Sequence, residues 1–225
     1  MVRLLVSLTA LMLVASGSAG ATPLPTPGID FRDPAFSGAD RQASFTATVG
    51  GITLTLEAGL SDPTLGGTPT LWWDSRDGIG VRYAYEADEI EGPERLIVRF
   101  ASPVGLSEIF LSDLFVESAS GVTYSEIGHY RIDAGPLVTF DAASLLASPG
   151  DKSNGEAVIA LSPIVPATTI TFSAPGRIGV ENHEFSVLGL TDPPIPISAP
   201  PTLALALAAL AALTFTRRRR SAPGA

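Results

Sequence analysis

The sequence predicts an all-β domain over residues 29–191, an antiparallel β-sandwich of jelly-roll-like topology. Three observations carry that expectation. Short segments alternate apolar and polar residues with period 2, and turn residues punctuate them every 8 to 15 positions. Helix signals are nearly absent between the two ends of the chain. Many short strands, each with one apolar face, bury those faces by stacking sheet on sheet. About ten of them favour a jelly roll over an immunoglobulin-like arrangement, although no single residue decides between the two.

The first element is a secretory signal, residues 1–21. Arg3 supplies the positive region, Leu4 to Val14 an apolar stretch of 11 residues, and Ala19-Gly20-Ala21 the small-x-small site that places cleavage after Ala21. So short an apolar stretch cannot span a bilayer, which needs about 20 residues. Residues 22–28 contain three prolines and read as a spacer.

The strands follow in order. Ile52, Leu54 and Leu56 share one face while Thr53, Thr55 and Glu57 share the other. Leu96, Val98 and Phe100 alternate with Arg95, Ile97 and Arg99; Ile170 and Phe172 alternate with threonines; Phe185 and Val187 repeat the pattern. Further strands are expected at 45–49, 71–73, 81–85, 109–111, 130–132 and 158–161, and one helical turn at 142–146.

Carboxylates are concentrated in one stretch: Glu86, Asp88, Glu89, Glu91 and Glu94 surround the turn Gly92-Pro93, with Asp74 and Asp77 just upstream. Two readings are open. One is a solvated acidic loop; the other is a calcium site using Asp74, Asp77, Glu86, Asp88, Glu89 and Glu91, since calcium takes six to eight oxygen ligands from such loops. Asp74-Ser75-Arg76-Asp77-Gly78 lacks the alternating ligand positions of an EF-hand. Trp72 and Trp73 are neighbours, so a strand would point one inward and the other outward. An outward indole, extended by Tyr83 and Tyr85, could stack on a sugar ring; the plainer alternative is a core tryptophan with a partly covered neighbour.

The last elements are a linker and a tail. Residues 192–201 are proline-rich and extended. Thr202 to Thr216 is apolar on every face and ends at Arg217, Arg218, Arg219 and Arg220, with 217–225 forming a basic tail. Fifteen residues make about 22 Å of helix, short of a hydrocarbon core of about 30 Å, a gap that snorkelling arginines partly close. The arginines would stay cytoplasmic and the domain face outward.

Ser198-Ala199-Pro200-Pro201-Thr202-Leu203-Ala204-Leu205, the apolar helix and the arginine block resemble the PEP-CTERM sorting signal of exported Gram-negative proteins. Pro200 matches the second proline of the family tripeptide, while Ser198 and Ala199 stand where its first proline and glutamate would be. The segment from Gly80 through Asp88-Glu89-Ile90-Glu91-Gly92, Glu94-Arg95-Leu96 and Phe100 to Leu106 is also similar to one found in such proteins. The resemblance implies export, an exosortase-like sorting enzyme as partner, and a cell-surface or extracellular-polysaccharide setting. It brings no catalytic residues.

Composition narrows the rest. Setting aside Arg3 and Arg217–Arg220 leaves nine of the 14 basic residues against 23 acidic ones, a net charge near −14. Nucleic acid is therefore an unsuitable partner. The chain has no cysteine and two histidines, which excludes thiol chemistry and an all-histidine zinc site. No Gly-x-Ser-x-Gly elbow or His-Glu-x-x-His helix is present. The expectation is a non-enzymatic structural or adhesive surface protein; a calcium-dependent glycan-binding module is the alternative, and an enzyme acting on matrix polysaccharide a further one.

Overall fold

The computed structural model describes residues 28–83, 89–119, 122–146, 155–176 and 183–190. The expected signal peptide, C-terminal linker, apolar helix and basic tail lie outside the described residues, within which no helix is long and apolar enough to cross a membrane. The strands are β1 (Ile29–Asp30), β2 (Ser44–Val49), β3 (Ile52–Leu60), β4 (Thr70–Asp74), β5 (Gly78–Arg82) and β6 (Glu94–Ser112), followed by β7 (Val116–Ala119) and β8 (Val122–Ser125). They continue with β9 (Ile127–Ile132), β10 (Val138–Asp141), β11 (Ala157–Ser173) and β12 (Ser186–Leu190). A 3₁₀ turn spans Pro34–Ala39 and a single helical turn, α1, spans Ala142–Leu145.

All pairings are antiparallel. Ten strands form one continuous sheet, and β7 pairs only with β8. The main path runs β10-β9-β11-β6-β12-β5-β4, with β3 and β2 branching from β6, and β1 on β12. Two long strands make this branching possible. The first half of β6 pairs with β3 through Leu54↔Phe100 to Leu60↔Glu94, and its second half pairs with β12 through Ser186↔Ser112 to Leu190↔Ile109. β11 follows β6 along both halves, with register shifts between Ala160 and Val165 and between Ala167 and Thr169. The result is a curled half-barrel whose concave side holds the core.

The strands expected separately at 96–100 and 109–111, and at 158–161 and 170–172, are each one long strand, running through Pro103 in β6 and through Pro163 and Pro166 in β11. Pro103 and Pro163 fall where pairing is already irregular, Pro163 inside the first register shift of β11, whereas Pro166 stays in register opposite Gly105. The other turns follow their residues. Gly50 and Gly51 both have positive φ (58° and 83°) and close β2–β3 as a two-residue hairpin. Asp141 Oδ1 accepts the Ser144 N–H and starts α1, the one helical turn expected. The turn at Pro34–Ala39 was not foreseen; Asp33 caps it and it drives Phe36 edge-on against Phe31, ring centroids 5.1 Å apart.

The core is one cluster. It joins Leu54, Leu56, Leu96, Val98, Ile170 and Phe172 from one half of the sheet to Leu71, Ile79, Ile109, Leu111, Val187 and Leu190 from the other. Each such side chain, fully buried, contributes about 1.5–3 kcal/mol. The halves differ on their convex sides. In β12 every residue is buried, and Phe110 and Leu188, which lie outside the main cluster, are only 1% and 3% exposed. The convex side of β2, β3, the first half of β6, the second half of β11, β9 and β10 is open to solvent.

Candidate functional site

The acidic stretch does not form a single solvated loop. Glu94 opens β6 in phase with Leu96, Val98 and Phe100, so its side chain points to the core and is fully buried. Its Oε2 accepts the N–H of Glu91, 3.0 Å away, and Glu91 is itself only 6% exposed. Burial, reinforced by the neighbouring Glu91 charge, pushes the Glu94 carboxyl up to about 9. Glu94 is therefore a neutral acid at physiological pH. The turn is stitched down on both sides, by Val81 N–H to the Glu89 carbonyl (3.2 Å) and Ile90 N–H to the Phe185 carbonyl (2.8 Å).

Asp74 and Asp77 sit at the other end of β5. Asp74 Oδ1 accepts the Arg76 N–H at 2.6 Å, and Asp77 Oδ1 lies 3.8 Å from the Arg76 Nε. The carbonyl of Asp77 accepts the Ser112 hydroxyl at 2.7 Å, tying this turn to β6. Gly78, at φ +89°, passes so close to β12 that a Cβ there would come within 2.4 Å of the Val187 carbonyl oxygen. Glu86 and Asp88 lie outside the described residues. Among the described residues, no three His, Asp or Glu side chains gather as a metal-ligand set.

The adjacent tryptophans alternate. Trp73 packs against the core and donates its indole N–H to the Phe31 carbonyl at 2.8 Å. Trp72 faces the other way, opposite Gly80, with the Arg82 guanidinium carbon 4.0 Å from its ring centroid. One face of that indole is therefore already covered by a cation. The Tyr83 hydroxyl donates to the Gly66 carbonyl, and Tyr85 lies outside the described residues.

Both histidines have partners: His129 Nδ1, within β9, lies 3.1 Å from the Thr139 hydroxyl, and His183 Nδ1 accepts the Ile127 N–H at 3.3 Å. Burial, then the proximity of His183, lowers the His129 pKa. The cavity at the Gly50–Gly51 hairpin, about 230 Å³, is lined by Ile52, Thr53, Ser102, Pro103 and Val104 and holds no charged side chain.

The open convex face has a different chemistry. Alternation on β6 brings Arg95, Ile97 and Arg99 to it, and the register surrounds them with hydroxyls. Arg99 lies between Thr55 and Thr169, Ile97 between Glu57 and Thr171, and Arg95 between Gly59 and Ser173. Arg131 of β9 stands across from Thr171. At the margin, Thr46 with Thr55 (2.8 Å) and Thr48 with Thr53 (2.9 Å) form hydroxyl pairs across the hairpin. Arg99 Nε meets Glu57 Oε1 at 3.0 Å; Arg95 and Arg131 make no ion pair among the described residues. The alternation of Arg95 and Arg99 with apolar residues was visible in the sequence. That Arg131 joins them depends on strand order, which no local signal carries.

No family model and no curated protein matches the chain. Among solved structures it is similar to a family 35 carbohydrate binding module from Clostridium thermocellum, at 14% identity and a TM-score of 0.33, over 60% of this chain and 98% of that one.

Proposed function

We propose that this is an exported surface or extracellular-matrix protein whose β domain does structural and adhesive work by holding glycan, without catalysis. Its curled sheet is read as a jelly-roll-like sandwich with joined layers. The signal at residues 1–21 would export it, and the PEP-CTERM-like tail would sort or anchor it through the membrane with an exosortase-like partner. The observation that carries the adhesive reading is the open convex face: six strands present threonine and serine hydroxyls beside guanidinium groups, over an area wide enough for a polymer to lie across. Rows of donors and acceptors fixed on a rigid sheet match the hydroxyl-rich surface of a polysaccharide, and they bind without prior ordering of the protein.

The full chain, purified in mild detergent, is expected to be retained by immobilised extracellular polysaccharides and to release no reducing sugar from them. Release of reducing ends would replace the adhesive reading with the enzymatic one. Running the retention assay with and without a chelator tests the calcium-dependent form. Deleting residues 202–220 is expected to send the domain into the medium.

A further inference from the structure

We infer that the convex face selects acidic polysaccharide, with Arg95, Arg99 and Arg131 reading the carboxylates of a uronate-type polymer; this rests on the glycan-holding reading above. A domain near −14 has nine basic residues in all, yet three of them converge on one sheet face. Glu57, paired to Arg99, is the only carboxylate among the face positions of β3, the first half of β6 and the second half of β11. Asp133 and Asp141, at the rims, are occupied by the Thr168 and Thr169 N–H groups and by Ser144.

Arg95 and Arg99 are four residues apart on one strand, about 13 Å, and Arg131 lies two strands away, about 10 Å to the side. The three backbone positions thus form an open triangle wider than a single small anion. A polymer bearing repeated carboxylates can meet all three. Each guanidinium presents a planar fork that pairs a carboxylate through two parallel hydrogen bonds, while Thr169, Thr171 and Ser173 lie between the forks, where sugar hydroxyls would fall.

The lack of aromatic side chains separates this ligand from nucleic acid. Single strands are held by stacking bases on aromatic side chains, and the face positions of β3, the first half of β6 and the second half of β11 hold no Phe, Tyr or Trp; Ile97 is their central apolar group. The surrounding negative charge also opposes duplex DNA, which carries one charge per about 1.7 Å, whereas a polyuronate carries one per sugar and meets the arginines within a screening length of about 8–10 Å.

The test uses the full chain in mild detergent against polygalacturonate, its methyl-esterified neutral form, and single-stranded DNA. Polygalacturonate is expected to bind best and to weaken as NaCl rises. The triple variant Arg95→Gln, Arg99→Gln, Arg131→Gln should lose at least about tenfold in affinity for it, with an unchanged circular dichroism spectrum and no loss for the esterified polymer. Replacing the three by lysine should restore part of the loss, since charge returns without the fork. If the triple variant binds polygalacturonate as the parent does, or DNA binds more tightly, the acidic-glycan inference falls. Equal binding of the charged and esterified polymers also removes it, yet keeps the adhesive reading. Retention of no polysaccharide at all removes both.

Discussion

The two sides of strand β6 make opposite uses of charge. Glu94 and Arg95 are neighbours in sequence, and the pleat sends them to opposite faces. Glu94 joins Leu96, Val98 and Phe100 on the concave side and keeps its proton up to about pH 9 because water is excluded from it. Arg95 joins Ile97 and Arg99 on the convex side, toward solvent. The difference teaches that the acidic character of the stretch around Glu91 is less than its composition suggests, whereas the basic character of the convex face is greater.

That contrast can be broken most forcefully from the concave side. Ile90, fully buried inside the acidic turn, anchors it to the core. Ile90→Ala should cost about 2–5 kcal/mol, read as a lower urea midpoint at constant slope. Preservation of the parent midpoint would mean that the turn is not held by packing.

Glu94→Gln comes next. In the unfolded chain the carboxyl ionises near 4.5, and in the folded protein it does so near 9. Between those values the native state binds the extra proton, so stability is full below about 4.5 and declines as pH rises toward 9. The glutamine variant keeps an acceptor for the Glu91 N–H and removes this slope. Its gain near pH 8 should be roughly 1–4 kcal/mol, and melting curves of the two proteins should converge in acid.

On the convex side the effects on stability are small by comparison. Arg99→Ala breaks the pair with Glu57, whose partners are half and one-third exposed, and should cost less than about 1 kcal/mol. Thr46→Val removes one exposed cross-strand hydroxyl pair and should change stability by at most about 0.5 kcal/mol. A large loss from either substitution would show that this face is part of the fold's support and is not free to serve binding.

How much of this was legible in the sequence depends on the range of the forces involved. Period-2 alternation is local, so strands at 52–56, 96–100 and 170–172 and their inward faces were readable residue by residue. The one-turn helix at Ala142 was readable for the same reason, through its own short segment. Strand length was not. Pro103 and Pro163 look identical to turn prolines until the partner strand shows that pairing slips beside them. The burial of Glu94 was implicit in the alternation, since it shares phase with Leu96; its charge drew attention away from that. Trp72 and Trp73 were rightly expected to part, but the cation over Trp72 comes from the next strand. The convergence of Arg131 with Arg95 and Arg99 needs β11 to lie between β6 and β9, a fact of topology alone.

β1 and β12 pair as Ile29↔Leu190 and Asp30↔Gly189, so the domain is entered and left at a single seam. Its two ends can be joined directly by a short peptide and the ring reopened at the Gly50–Gly51 hairpin, because the contacts that hold the sheet do not depend on where the backbone is cut. A permuted chain of that kind should fold to the same far-ultraviolet signature. It would carry any tether out from beside Val49, at the margin of the hydroxyl-lined face, in place of the seam where the native sequence carries it.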